Sequence, residues 1–241
     1  MRRVVVYPDA AAVAEATGAR LLLAIQDAIA ARGVAHVILT GGTVGIELLR
    51  RAAASPLVSL VDWTSVHVWW GDERFVPAGD RDRNELQAQE ALLRHIPLPE
   101  ENIHRMGAAT EFATNEAAAD AYEALITEHG DPDWDVALFG MGPDGHVASL
   151  FPAHPTFLAE PSSRRAVAVD DSPKPPPLRV SLTLPAINRA RQVWVVAAGA
   201  EKAAAIARGL AGDKELPVSA IHGTEATLWL VDAAAATPSR G

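Results

Sequence analysis

Residues 135–151 constrain this chain more than any other stretch. They open Asp135-Val136-Ala137-Leu138-Phe139-Gly140 and continue Met141-Gly142-Pro143-Asp144-Gly145-His146. The apolar run is too short for a helix and stops at glycine, the pattern of a buried strand. Gly140, Gly142 and Gly145 follow, with Asp144 and His146 between and after them. A strand that ends in a glycine turn carrying an acid and a base belongs at the ligand-binding edge of an α/β sheet, beyond the carboxyl ends of the strands. Three readings fit. The glycines match the G-x-G-x-x-G of dinucleotide sites, but that motif opens a full helix and Pro152 stops any helix within about two turns. A plain Gly/Asp turn with a surface histidine is the bland reading. A catalytic loop with His146 as general base is the sharp one.

The rest of the chain alternates strand and helix. Strands are expected at 4–7, 35–39, 66–70, 135–139, 178–184, 192–197 and 226–231, and long helices at 10–31, 84–93 and 115–129. Asp9 is placed to cap the first helix and Gly33 to end it, and Thr114 to cap the third. Val13, Leu21, Ile25 and Ile29 give the first helix an apolar face that core packing alone explains. Neither a repeat nor a linker interrupts the pattern. The expectation is one α/β domain over 1–241, with a mostly parallel sheet and helices on both faces. Segment 97–105 reads as a connector with a short strand, 152–161 as a loop, and the tail after Ala233 as frayed. Ser172-Pro173-Lys174-Pro175-Pro176-Pro177 is the most irregular piece, read as a stiff crossing in preference to a mobile lid.

Composition excludes several classes. There is no cysteine, hence no disulfide, thiolate nucleophile or cysteine-held metal cluster. Net charge is −9, the pI is about 5.3, and no long basic stretch offers itself to nucleic acid. No run reaches the roughly 20 apolar residues of a membrane span, and the apolar start is too short for a signal peptide. A cytoplasmic protein without membrane or nucleic-acid partners is expected.

Other turns carry polar chemistry. In Thr40-Gly41-Gly42-Thr43, between a strand and a helix, glycines let N–H groups approach a ligand and the helix N-terminus favours an anion. It is not a Walker loop, since no Gly-Lys-Ser/Thr follows, and an ordinary strand–helix turn remains the alternative. Trp69-Trp70 runs into Gly71-Asp72-Glu73-Arg74, three charges at the end of an aromatic strand, where a solvated turn is the alternative. Asp80, Asp82 and Asn84 have the spacing of a calcium loop. Glu85 stands where that loop needs glycine and Ala91 where it needs a bidentate acid, so the loop is rejected. Arg179, Ser181 and Thr183 share one side of their strand. Lys202 falls in the first turn of a helix, where the dipole disfavours a cation. That placement suggests a bound anion, with a solvated lysine as the alternative.

Together these turns give the chain a resemblance, over nearly its whole length, to the 6-phosphogluconolactonase family within the glucosamine-6-phosphate isomerase/6-phosphogluconolactonase superfamily. It rests on Thr40-Gly41-Gly42-Thr43, Trp70-Gly71-Asp72-Glu73-Arg74-Phe75-Val76-Pro77, residues 140–152, Arg179-Val180-Ser181-Leu182-Thr183 and Gly199-Ala200-Glu201-Lys202-Ala203. The resemblance implies a modified Rossmann-like three-layer sandwich. It implies hydrolysis of a sugar phosphate lactone in the oxidative branch of the pentose phosphate pathway, without metal or cofactor. His146 would be the base, with Asp144 beside it. Gly41, Gly42 and Thr43 would cradle the substrate phosphate together with Arg179 and Lys202, and Asp72 and Arg74 would line the same pocket. A monomer or weak homodimer is expected. Two positions depart from the family pattern: Gly45 where proline is frequent, and Arg83-Asn84 where Ser-Asn is common.

The isomerase/deaminase branch typically continues its histidine turn with an Asn-Glu pair. Here Ser149-Leu150-Phe151-Pro152 follows His146, and Glu160 is the next acid. Lactone opening needs one water activated and one alkoxide protonated, a task for a single histidine. The expected oxyanion donor is Arg74 or the N–H groups of the 142–145 turn. Lactones also hydrolyse unaided at a useful rate, so strong electrophilic help is not required. A non-catalytic sugar-phosphate sensor is the reading from another class, and it would not need the histidine.

Overall fold

Asp9 is extended and accepts the Ala12 N–H at 2.8 Å, which starts α1 (Ala10–Arg32). Gly33, at φ 79°, ends it by donating to the Ile29 carbonyl. The capping acid and left-handed glycine are the stop and start signals expected of a long helix. Thr114 likewise accepts from the Ala117 N–H and starts α4 (Asn115–Glu128). Between them lie α2 (Thr43–Ala54) and α3 (Asn84–Ala91), and α5 (Ala203–Leu210) follows near the end. This computed structural model describes residues 1–158 and 163–237. Glu160 and the ends of the expected 152–161 loop and C-terminal tail lie outside the described residues.

The strands are β1 (Arg2–Tyr7), β2 (Ala35–Leu39), β3 (Val66–Trp70), β4 (Asp72–Arg74), β5 (Val136–Gly140), β6 (Ala166–Val169), β7 (Arg179–Leu182), β8 (Gln192–Ala197) and β9 (Ala226–Asp232). Six form one sheet in the order β1-β9-β8-β5-β2-β3, with every pairing parallel. A parallel sheet flanked by helices needs unbroken apolar strands. Val136, Ala137, Leu138 and Phe139 are accordingly all buried. Helix α1 lies against α2 and the sheet. Helix α4 is pinned to β3 by Tyr122, whose hydroxyl accepts from Trp70 N–H and donates to Trp70 C=O, both at 3.1 Å.

Three expectations need correction. The strand at 178–184 does not join the main sheet. β7 lies between β4 and β6 in a separate antiparallel sheet, and all four of its residues are buried. Residues 97–105 supply only a single bridge, Ile103 to Val68. The tail does not fray at Ala233, because the Asp232 carboxylate accepts the Ala235 N–H at 2.8 Å and caps one more helical turn, Ala233–Ala236. Among the described residues, no helix is long and apolar enough to cross a membrane.

β5 sits between β2 and β8, with β3 beyond β2. The turns that follow these strands therefore emerge along one edge, where parallel sheets bind ligands. The small antiparallel sheet delivers further side chains to the same edge.

Candidate active site

After β5 the chain folds back on itself. Gly142 N–H donates to the His146 carbonyl at 3.1 Å and Gly145 N–H to the Gly142 carbonyl at 2.9 Å. A Cβ on Gly142 would collide with the His146 ring and the Asp144 carboxylate, so glycine is needed for this close approach. The turn runs into a second tight turn, Val147 to Leu150. A full helix never forms there, and the dinucleotide reading falls with it.

This doubled turn sets Asp144 Oδ1 2.6 Å from His146 Nδ1. The imidazole packs against Phe151 in a tilted arrangement, with ring centroids 4.6 Å apart. Partial burial works against charge on Asp144. The hydrogen bond and Coulombic pull of His146, with the Lys174 ammonium, outweigh it and hold the carboxyl well below the usual carboxylate range. Lys174 Nζ lies 3.2 Å from His146 Nδ1 and 3.4 Å from Asp144 Oδ1. With Nδ1 so engaged, Nε2 is the ring nitrogen left for a reacting molecule.

After β2 the chain turns at Gly41 and Gly42 into α2. A Cβ on Gly41 would run into the Asn84 amide, and Gly42, at φ 81°, is the N-cap. No side chain caps this helix, so its first-turn N–H groups and positive dipole end face outward. The Thr40 hydroxyl accepts the Gly140 N–H at 3.1 Å and joins the two turns. Gly45 faces the Thr40 methyl, 2.8 Å from where a Cβ would lie. That contact is a local reason for its departure from proline.

The small sheet pairs Asp72 with Ser181 and Arg74 with Arg179. Asp72 Oδ2 accepts from Ser149 Oγ at 2.6 Å and lies 3.9 Å from Arg179 Nη1. Arg74 Nη1 donates to Asn84 Oδ1, and Asn84 Nδ2 donates to the Asp72 carbonyl at 2.9 Å. Glu73 is buried and accepts three backbone N–H bonds, from Arg74, Asn84 and Glu85. Burial pushes its carboxyl up to about 7, against the pull of Arg83. Arg83 is itself buried and fastens this turn, donating to the Met106 carbonyl at 2.7 Å and the Arg74 carbonyl at 3.4 Å.

Arg179 anchors the proline-rich segment. Its guanidinium donates to the carbonyls of Lys174, Pro175 and Pro176 at 2.9–3.2 Å. The segment is thus a strap held at three consecutive carbonyls. Lys202 closes a short 3₁₀ turn, Ala200–Lys202, just before α5 and not within the helix's first turn. Burial lowers its pKa from the ordinary lysine value. Its ammonium makes no hydrogen bond or ion pair among the described residues, while its backbone N–H donates to the Gly199 carbonyl at 3.1 Å.

These groups converge on one cavity of about 280 Å³. Its wall includes Gly41, Gly42, Thr43, Asp72, Arg74, His146, Arg179 and Lys202. Asp144 alone of the expected site residues stays off the wall, behind His146. Asn84 lines the cavity as well, and Ser149 and Lys174 support it from outside. The sequence reading named all three but gave none of them a place in the site. Asn84 drew notice only for a rejected calcium-loop spacing and the Arg83-Asn84 pair, Ser149 only as part of the family-like stretch 140–152, and Lys174 was masked by the prolines around it. Among the described residues, no group of three or more His, Asp or Glu side chains is placed to hold a metal ion.

Comparison with known proteins places the same stretches in a family. Residues 8–229 match the family model described as glucosamine-6-phosphate isomerases/6-phosphogluconolactonase. The 6-phosphogluconolactonase of Streptomyces coelicolor is 48% identical, with 98% of this chain and 94% of that protein covered. That of Mycobacterium tuberculosis is 46% identical, over 97% of this chain and 98% of its own. The solved structure of 6-phosphogluconolactonase from Trypanosoma brucei superposes with a TM-score of 0.85 at 26% identity, covering 98% of each chain.

Proposed function

The chain belongs to the glucosamine-6-phosphate isomerase/6-phosphogluconolactonase family, and on that premise we propose that it hydrolyses 6-phospho-D-glucono-1,5-lactone to 6-phospho-D-gluconate with His146 as general base. The observation that carries this reading is the Asp144–His146 contact of 2.6 Å behind a cavity wall that also holds Arg179 and Lys202. A base oriented by a carboxylate, facing a cationic pocket, suits water attack on a phosphorylated ester.

In this mechanism the substrate phosphate docks at the Gly41–Gly42 turn, with Lys202 and Arg179 supplying charge. His146 Nε2 takes a proton from water as the oxygen attacks the lactone carbonyl. The Gly142 and Gly145 N–H groups are already bonded within their own turn, which favours the Arg74 guanidinium as donor to the oxyanion. The imidazolium then returns its proton to the leaving ring oxygen, and the ester C–O bond breaks. Each proton passes through one ring nitrogen, and the step needs neither metal nor cofactor. Ser149, at the place where the isomerase branch carries its Asn-Glu pair, spends its hydroxyl on Asp72 and adds no second acid. We read residues 1–241 as one domain acting in the cytoplasm as a monomer or weak homodimer.

The test is a lactone hydrolysis assay on purified protein, with spontaneous opening subtracted. The reading expects strong acceleration with 6-phosphogluconolactone. Tight binding of the sugar phosphate without acceleration would make the chain a sensor instead.

A further inference from the structure

Among the described residues, Lys174 is the one cation at the base that the proposed mechanism leaves without a task. Its ammonium approaches Nδ1 of His146 at 3.2 Å, the same nitrogen that Asp144 holds at 2.6 Å. It is absent from the cavity wall, unlike Arg179 and Lys202. Its backbone is fixed independently of its side chain: the Lys174 carbonyl accepts from Arg179 at 2.9 Å and from Ser172 Oγ at 2.9 Å. The strap thus delivers an ammonium to the rear of the imidazole and holds it there.

The two neighbours ask opposite things of that ring. A carboxylate at Nδ1 wants a proton there, which leaves Nε2 with its lone pair as a base and stabilises the imidazolium. An ammonium at the same nitrogen repels the imidazolium and can only donate to a bare Nδ1. We propose that Lys174 is a positioning residue that opposes Asp144 at His146 Nδ1, so that the ring accepts water's proton without being trapped as a resting imidazolium. This inference rests on the reading of His146 as base. In this role the Lys174 ammonium, 3.2 Å from Nδ1, disfavours positive charge on the ring before water attacks and favours passing the proton on to the leaving oxygen afterwards.

The other charged groups near the ring do not stand in for Lys174. Phe151 covers one face, and the Arg179 guanidinium lies over that phenyl, 5.8 Å from its centroid. Asp72, Arg74 and Lys202 line the cavity with His146, and none of them makes a hydrogen bond or ion pair to its ring among the described residues. Among the described residues the polar partners of Nδ1 are Asp144 and Lys174, and both are partly open to solvent, with 35% and 40% of their side chains exposed. The full effect of an adjacent charge, about 1–3 pH units, is therefore screened.

The experiment is the pH–rate profile of kcat and kcat/KM for wild type, Lys174→Met, Lys174→Arg and His146→Ala. Methionine keeps the length and the backbone contacts and removes the charge. The inference expects the acid limb of Lys174→Met to move up by about half to one pH unit, with KM at high pH within about twofold of wild type. Lys174→Arg should restore the wild-type limb. A limb that stays in place or moves down in Lys174→Met would overturn the inference. A tenfold rise in KM would also overturn it, since that would make Lys174 a substrate-binding residue. His146→Ala separates this from the parent reading. If its residual profile loses the acid limb, His146 is the titrating group and the Lys174 result decides the inference alone. If the limb persists without His146, the base assignment fails, and the inference fails with it.

Discussion

Asp144 Oδ1 meets Nδ1 of His146 at 2.6 Å, from a position off the cavity wall that His146 helps to form. In the proposed mechanism the carboxylate therefore acts on the ring and not on the substrate. Asp144→Asn keeps the shape but loses the preference for a proton on Nδ1. It should lower kcat about a hundredfold and change KM little, as steady-state kinetics would show. Unchanged kcat would remove Asp144 from the mechanism.

The same contact sets the pH response. Asp144 is held well below the usual carboxylate range, so it stays charged throughout the window where imidazoles titrate, about pH 5–8. Loss of rate on acidification should follow a single proton taken up by the imidazole. A pH–rate profile of Asp144→Asn that still shows an acid limb fits this account. A limb that vanishes in that variant while activity remains would assign the titration to Asp144.

Phosphate binding is tested more cleanly at Lys202 than at Arg179. Arg179 also carries the carbonyls of Lys174, Pro175 and Pro176, so its loss should loosen the strap as well as the pocket. Lys202 has no such duty. A charge-assisted bond is worth roughly 1.5–3 kcal/mol, so Lys202→Ala should weaken 6-phosphogluconate binding about tenfold or more by calorimetry, with the thermal midpoint nearly unchanged. Equal affinity in wild type and variant would end this assignment.

Hydrolysis through His146 needs no metal. Treatment with EDTA should leave kcat unchanged. Activity lost to the chelator and restored by zinc or magnesium would contradict the histidine-base mechanism.

Away from the site, His36, His67, His104 and His129 gather around Trp69. Burial, with repulsion from His67 and His129, pushes His36 down to about 4. Burial and the same kind of repulsion push His104 down to about 3, and His67 is lowered too. His36, His67 and His104 stay neutral in the fold where an unfolded chain's histidines would be charged. The unfolded state then binds more protons, so this stabilisation is intact above about pH 6.5 and is lost as pH falls toward about 4. Glu73, raised to about 7, has the opposite sign and favours the fold at low pH. In denaturant titrations His104→Gln should flatten the acid loss of stability relative to wild type. Parallel curves for the two proteins would remove the cluster from the acid response.

The sequence showed the main sheet because its strands are buried runs and its helices carry local stop and start signals, Asp9, Gly33 and Thr114 among them. It showed the site's glycine turns for the same local reason. It did not show β4, a three-residue strand of Asp72, Glu73 and Arg74 without apolar alternation, nor its pairing with residues about a hundred positions away. It therefore put β7 in the wrong sheet. Ser149 and Lys174 were hidden because their roles depend on partners brought together by tertiary folding, Asp72 and His146. The polar identity of Asp72, Arg74 and Arg179 was legible, whereas the sheet that aims them at one cavity was not.

The central claim is that His146 is the base. The direct measurement is kcat of His146→Ala on 6-phosphogluconolactone after subtraction of spontaneous hydrolysis, with 6-phosphogluconate affinity measured on the same preparation. The account predicts a fall in kcat of about 10²–10⁴-fold with product affinity largely retained, because the phosphate cradle is built on β2, β7 and the turn after β8. A folded His146→Ala protein with near-normal kcat would contradict it and move the base to Asp72 or Asp144.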